Sequence, residues 1–294
     1  MTLTRRRILL LLPALAQVSA SMFAASAPRA AADQGARASS PSADPKGRAI
    51  TEHYVIVNAD DFGESPGVNR GIIEAHERGI VTSASLLLDQ PETDAAVALA
   101  RQTPSLSLGL HVNLDGVGAE LTGQERFEVQ RRALERQFNA FTALTGSHPT
   151  HLDSHHHVHR QLNVARLFLE LSSRYGIPLR GFSDVFYVGR FYGQRGPAKT
   201  EPTQISAEFL IGLLGKIKRG FTEIGCHPGY QDAASDSYNW ERELELRALT
   251  DPRAKAALTT LGIRLASYRD YRAATGLVPT GVGAVLDCQA RIVR

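Results

Sequence analysis

Apolar positions follow two alternating rhythms from residue 54 onward: short β-branched runs, then longer stretches with the period of an amphipathic helix. Tyr54-Val55-Ile56-Val57 reads as a buried strand that ends in Asn58-Ala59-Asp60-Asp61-Phe62-Gly63, so its C-terminal end is acidic. Pro66 and Gly67 mark the turn into a helix over 67–78, with Val68, Ile72, Ile73 and Ala75 on its apolar side and Gly79 as its stop. The pattern then predicts a strand over 83–88, a helix over 92–101, a strand over 106–114 carrying His111, and a long helix over 124–144 that stops at Gly146. The segment from Thr150 to His159 reads as extended and leads into a helix that runs to Tyr175. A short strand is expected at 178–180 and an aperiodic functional loop over 182–200. A helix over 203–219 precedes a strand over 222–226 that ends at His227-Pro228-Gly229. Two helices (239–250 and 252–261) and a last strand near 264–267 follow, and after Tyr271 no period is visible.

Strands that alternate with helices imply parallel β/α units. Six or seven such units in about 220 residues suit a barrel or an open doubly wound sheet. The chain has neither a glycine-rich dinucleotide fingerprint nor a phosphate-loop motif, which disfavours the open sheet. In a barrel, chemistry sits at the C-terminal ends of the strands. The acidic pair, His111, the histidine cluster and His227 all fall at strand ends or late strand positions.

The 294 residues are 43% apolar and 21% charged, an ordinary globular composition, and two cysteines exclude a disulfide scaffold or a cysteine zinc ribbon. Residues 1–50 hold seven Lys/Arg against two Asp/Glu, whereas the rest holds 26 against 28, so the net charge of +3 belongs to the N-terminus. The body has no charge excess to hold phosphates, which argues against nucleic acid as a partner. Thr4-Arg5-Arg6-Arg7 followed by Ile8 and Leu9 to Leu12 has the form of an export signal, and its arginines resemble a twin-arginine signal. The apolar stretch is shorter than the roughly 20 residues of a membrane span, so no stable span is expected after signal removal. The expected organisation is an export signal over 1–25, a disordered linker over 26–50, one folded domain over 51–272 and a C-terminal tail over 273–294, in a periplasmic or secreted protein.

Half of the ten histidines lie between His151 and His159. Histidine with carboxylate is the ligand set of zinc and other first-row divalent ions. In an extended segment Asp153, His155, His157 and His159 share one face and His156 points the other way, so one or two of them reach a common ion. Asp60 and Asp61 supply two carboxylates at one strand end. One can bind a metal while the other takes a proton from an attacking water, provided the chain turns there; a helix N-cap pair is the competing use. His111 and His227 each also fit a purely structural role. Cys226 has no evident base beside it, and its pairing with Cys288 is unsupported.

Asn58-Ala59-Asp60-Asp61-Phe62-Gly63, Gly71-Ile72-Ile73-Glu74-Ala75, Gly79-Ile80-Val81-Thr82-Ser83, Gly109-Leu110-His111, the block from Pro149 to His159, and Cys226-His227-Pro228 occur in that order. Together they resemble the YdjC-like carbohydrate deacetylase family, which includes chitooligosaccharide deacetylases, over residues 54–271. The resemblance implies a single-domain deformed β/α barrel related to the polysaccharide deacetylases and one divalent metal ion, magnesium, zinc or similar. It also implies Asp61, His111 and His155 as metal ligands, Asp60 as general base, and His227 as acid or oxyanion stabiliser. Spacing alone does not choose His155 over His157. Asp153 and His157 are expected behind the ligands, where a carboxylate holds a histidine in its metal-binding tautomer. Arg180, Arg190 and Tyr192, with Phe186, Tyr187 and Phe191, are candidates for sugar contacts.

The implied reaction is hydrolysis of the acetamide of an N-acetylated sugar, chitooligosaccharide-like or derived from cell wall, releasing acetate. A metal hydrolase for another amide or ester, and a non-catalytic exported metal- or carbohydrate-binding protein, are the alternatives. The segment 115–123 is short for a chitobiose-type member, and the leader implies export where those members are cytoplasmic. A homodimer is compatible with the resemblance.

Overall fold

A computed structural model describes residues 42–196, 199–232 and 238–277. The expected export signal, most of the expected linker, the tail beyond 277 and Cys288 lie outside the described residues. The strands are β1 (His53–Phe62), β2 (Ser83–Leu87), β3 (Ser107–Val112), β4 (Leu152–Ser154), β5 (Phe186–Val188), β6 (Gly220–Cys226) and β7 (Ile263–Leu265). Around them lie α1 (Pro66–Glu77), α2 (Thr93–Gln102), α3 (Gly123–Thr145), α4 (Leu162–Tyr175), α5 (Ala207–Leu214), α6 (Trp240–Thr250), α7 (Pro252–Thr260) and α8 (Tyr268–Thr275).

The sheet runs β4-β3-β2-β1-β6-β5, and every pairing is parallel. β6 follows one edge of β1 from His53 to Ala59. The opposite edge is shared, with β7 beside His53–Val55 and β2 beside Asn58–Phe62. Helical crossovers cover a parallel sheet on its faces, which is why β1, β2 and β6 read as nearly unbroken buried runs. Beyond β4 the ladder is extended only by a bridge between Leu152 and Leu179. Between Leu179 at one edge and β5 at the other, no further ladder closes the curl among the described residues. The result is a deformed, partly open β/α barrel.

Local chemistry accounts for the element ends. Ser65 caps α1 by accepting from Val68 N, with Pro66 in the first turn. α8 starts at a capping box of Ser267 and Asp270, at the end of the expected last strand, and runs into the stretch without visible period. The helix expected over 203–219 is shorter: a 3-10 turn, Pro202–Ile205, precedes α5, and Gly212 and Gly215 weaken the continuation past Leu214. The strand expected at 178–180 is reduced to the Leu179 bridge, and the loop over 182–200 contains β5. Structure also starts earlier than residue 51: Ala43 pairs with Ala49, and Ser42 donates to the carbonyl of Asp184. No helix among the described residues is long and apolar enough to cross a membrane.

Candidate active site and metal centre

The end of β1 solves the problem posed by two adjacent carboxylates. The ladder with β2 steps from Ala59 opposite Ala84 to Phe62 opposite Leu86, so β1 carries one extra residue there, a bulge. Asp61 takes the left-handed backbone (φ 68°), which for a residue with a Cβ costs on the order of 1 kcal/mol. This rotation lets Asp60 and Asp61 both face the mouth of the barrel. Neither caps a helix; Ser65 does that.

Three ligand atoms converge over this bulge. Asp61 Oδ1 lies 3.3 Å from His111 Nε2 on β3 and 3.3 Å from His155 Nδ1 just after β4. That oxygen is buried and receives no well-formed hydrogen bond. The other oxygen, Oδ2, accepts from Arg242 Nη2 at 2.9 Å. Burial opposes the charge of Asp61, but Arg242 and the two imidazoles hold its carboxyl well below the usual carboxylate range. A buried carboxylate oxygen left over between two imidazole nitrogens is a donor set that fits a divalent ion.

His155 reaches this position by a backbone path that differs from the expected extended one. β4 ends at Ser154, and His155–Arg160 is a 3-10 turn in which His156 (φ 51°) and His157 (φ 53°) are left-handed. The alternation that would place Asp153, His155, His157 and His159 on one face therefore does not hold. His157 is turned toward the Tyr187 hydroxyl, 3.3 Å from its Nε2, and touches none of the three ligand atoms. Burial lowers its pKa to about 3. His159 closes the turn against Ser154 Oγ (2.6 Å).

Asp153 behaves as a supporting carboxylate, with Oδ1 2.7 Å from His111 Nδ1. Its Oδ2 accepts from Ser85 at 2.6 Å and pairs with Arg180 at 2.8 Å. Arg180 corrects an expectation. Its side chain is completely enclosed and meets Asp60 through two 2.7 Å bonds and Glu223 through bonds of 2.9 and 2.7 Å. It fills the barrel interior beside the open seam, with Asp60 from β1, Asp153 from β4 and Glu223 from β6 around it, and cannot touch a sugar. Burial opposes the ionisation of Asp60, and Arg180 overrides it, leaving its pKa lowered.

His227 follows β6, its Nε2 3.9 Å from Asp60 Oδ2. Its backbone N–H donates to Glu245 Oε2 (2.5 Å), and Glu245 also accepts from Tyr238. Burial pushes Glu245 up to about 8 and pulls the pKa of His227 down. Tyr192 packs edge-on to His227 (5.2 Å) and stacks on Tyr238 (4.6 Å). The rest of the proposed aromatic platform is dispersed. Phe191 is buried in the core, Phe186 lies under Lys218, and Tyr187 faces Arg180. Arg190 is exposed on the loop after β5. Cys226 is a free, buried thiol that donates to the Asn58 carbonyl, and burial raises its pKa well above the usual thiol value.

Sequence reasoning missed Arg242, Glu245, Tyr238 and Glu223. Arg242 and Glu245 lie on α6, whose charge pattern reads as solvated surface, Glu223 lies within β6, and Tyr238 lies in the segment just before α6; the tertiary fold buries all four.

The description "YdjC-like protein" fits a family model matched by residues 54–260. A carbohydrate deacetylase of Geobacillus stearothermophilus is 37% identical over 254 residues, covering 74% of this chain and 98% of that protein. A chitooligosaccharide deacetylase of Serratia marcescens is 35% identical over 261 residues, covering 74% and 99%. Among solved structures, an Enterococcus faecalis V583 protein provisionally assigned to cellobiose-phosphate cleavage aligns with TM-score 0.64 at 27% identity, over 75% of this chain and 99% of that one. The Xyl-CE4 domain of a multidomain xylanase from the hindgut metagenome of Trinervitermes trinervoides shares the fold, with TM-score 0.51 at 12% identity over 78% and 94%. With the fold, the ordered motifs and these relatives in agreement, the chain belongs to the YdjC-like family.

Proposed function

We propose that this protein is an exported, metal-dependent carbohydrate deacetylase that hydrolyses the acetamide of an N-acetylated sugar. The observation that carries this reading is the convergence of Asp61 Oδ1, His111 Nε2 and His155 Nδ1 beside Asp60 and His227. The names of the curated relatives support the substrate class. The leader around Arg5-Arg6-Arg7 supports export.

Asp61, His111 and His155 would hold a divalent ion, which when bound supplies a Lewis acid that polarises a carbonyl and acidifies water. Asp60 is ionised across the neutral range and so is ready to accept a proton. Its Oδ1 is taken by Arg180 and Asn58, whereas Oδ2 carries a single bond, from Arg180. The spare lone pair on Oδ2 is the base, accepting a proton as water attacks the acetyl carbon. Arg180 makes Asp60 a weaker base and fixes where that lone pair points.

His227 is neutral at rest, so it acts as an acid only after gaining a proton. The proton captured on Asp60 Oδ2 sits 3.9 Å from His227 Nε2, close enough to be passed on after a small shift. His227 then protonates the sugar nitrogen as the carbon–nitrogen bond breaks. Water is thereby divided between acetate and a free amine. Tyr192 beside His227 offers an aromatic wall for the sugar ring.

Acetate release from N-acetylglucosamine oligomers and cell-wall fragments, after metal analysis of the purified protein, tests the reading. Activity on simple esters alone would transfer the site to another bond. A metal-loaded protein inert toward every acetylated sugar would leave a binding module.

A further inference from the structure

Among the described residues, three groups of metal-type side chains lie close together: Asp61-His111-His155, Asp60-His111-Asp153 and Asp115-His155-His156. The first is the centre described above. The second is filled, since Arg180 bridges Asp60 and Asp153 while Asp153 binds His111. The third has no role in the proposed reaction, and it is open to solvent.

We propose that Asp115, His155 and His156 form a second, outer cation site for zinc or a similar first-row ion, and that the two sites compete for His155. The imidazole of His155 faces two ways. Its Nδ1 lies 3.3 Å from Asp61 Oδ1, and its Nε2 lies 3.8 Å from Asp115 Oδ2. The same Asp115 oxygen is 2.8 Å from His156 Nδ1. Two imidazoles and one carboxylate, with the remaining directions open to water, match the ligand set of exchangeable zinc sites. Side-chain exposures of 40% for Asp115 and 55% for His156 let an ion enter from solvent.

Both walls of this outer site are fixed. Gln137, buried on α3, clamps Asn113 by accepting from its N–H (3.0 Å) and donating to its carbonyl (2.7 Å). The Asn113 side chain in turn accepts from Asp115 N–H at 2.8 Å. Opposite, the left-handed backbone at His156 and His157 swings the His156 ring back toward Asp115, and Ser154 with His159 locks the turn. A neutral imidazole has one acceptor nitrogen and one N–H. His155 therefore serves one ion at a time, and filling the outer site weakens the inner one. By linkage the weakening is mutual.

The site shares only His155 with the proposed catalytic centre, so metal titration reads it whether or not the protein releases acetate. Calorimetric titration of the full chain with zinc should resolve two events, one tight and one weaker. In Asp115→Asn and in His156→Ala the weaker event should weaken by more than about 100-fold, because a lost ligand costs more than a lost outer partner. The tight event should remain. In protein loaded with one equivalent of cobalt(II), added manganese(II), which binds such ligands more weakly than cobalt and does not displace it, should alter the ligand-field absorption in the wild type and leave it unchanged in both variants. A single event in the wild type, or a second event that survives both substitutions, would overturn the outer site. An unaltered cobalt spectrum during a genuine second event would overturn the competition for His155.

Discussion

Asp153 Oδ1 lies 2.7 Å from His111 Nδ1, and this contact sets what the other nitrogen of His111 can do. Burial opposes a charged imidazole, yet the carboxylates of Asp153, Asp60 and Asp61 outweigh it and raise His111 to about 10. Without an ion, His111 carries a proton on both nitrogens at neutral pH. An ion bound through Nε2 must displace one of them. Metal affinity should therefore rise roughly tenfold per pH unit from pH 7 to 9, with about one proton released per ion. Asp153→Asn removes the first of the raising charges, so both the slope and the proton count should shrink. Titrations in buffers of different ionisation enthalpy measure the count directly. Equal proton release in the two proteins would mean that Asp153 does not govern His111.

Asp60 and Asp61 share a strand end but have different surroundings. Asp61 has an oxygen between two imidazoles, and Asp60 is held by Arg180 and Asn58. Asp61→Asn should lose metal and activity together. Asp60→Asn should keep metal and lose about 10²–10⁴-fold in kcat, the worth of general-base catalysis. Metal content measured on the same samples separates the two losses. Near-normal turnover by metal-replete Asp60→Asn would move the base to another group.

Strand ends carrying Asp60, His111 and His227 were legible in the sequence because parallel strands buried on both faces leave unmistakable apolar runs. The motif glycines also have a physical reading once the fold is known. A Cβ on Gly71 would lie 2.5 Å from Gly229 Cα, so this glycine lets α1 approach the segment that carries His227. The histidine block was harder, because alternation assumes an extended chain, and two left-handed histidines break it. Arg180 was misjudged for a different reason. A lone arginine before a loop gives no sign that three strands will each point a carboxylate at it.

That arrangement makes Arg180 the electrostatic centre of the barrel. Replacing it with methionine leaves Asp60, Asp153 and Glu223 buried without their cation. Removing one partner of a buried ion cluster typically costs about 3–5 kcal/mol. Arg180→Met should therefore unfold at markedly lower urea, and Arg180→Lys should recover part of the stability without restoring the two-pronged grip on Asp60. Activity of Arg180→Lys should then stay low at full metal occupancy. A lysine variant with normal kcat would show that Asp60 needs a nearby charge only, and no fixed orientation.

Glu245 gives the fold a pH dependence of its own. Burial pushes its pKa up to about 8, against an ordinary value of 4.5, although His227 N–H and Tyr238 both donate to it. Below pH about 4.5 the carboxyl is protonated in the folded and the unfolded chain alike, so it does not favour either. Between there and about 8 the unfolded chain gives up the proton while the folded one retains it, and folding stability falls as pH rises. Above 8 both are ionised and the loss is complete. Glu245→Gln keeps the acceptor for His227 N–H and has no proton to lose. The variant should gain on the wild type between pH 5 and pH 8.5 by an amount on the order of a few kcal/mol. Urea unfolding of both proteins at the two pH values measures that gain. The comparison uses metal-free samples, because ligand protonation at His111 adds its own slope in the presence of an ion. A difference between the proteins that does not change with pH would mean that Glu245 ionises at an ordinary carboxylate pKa, and that His227 rests on a charged partner.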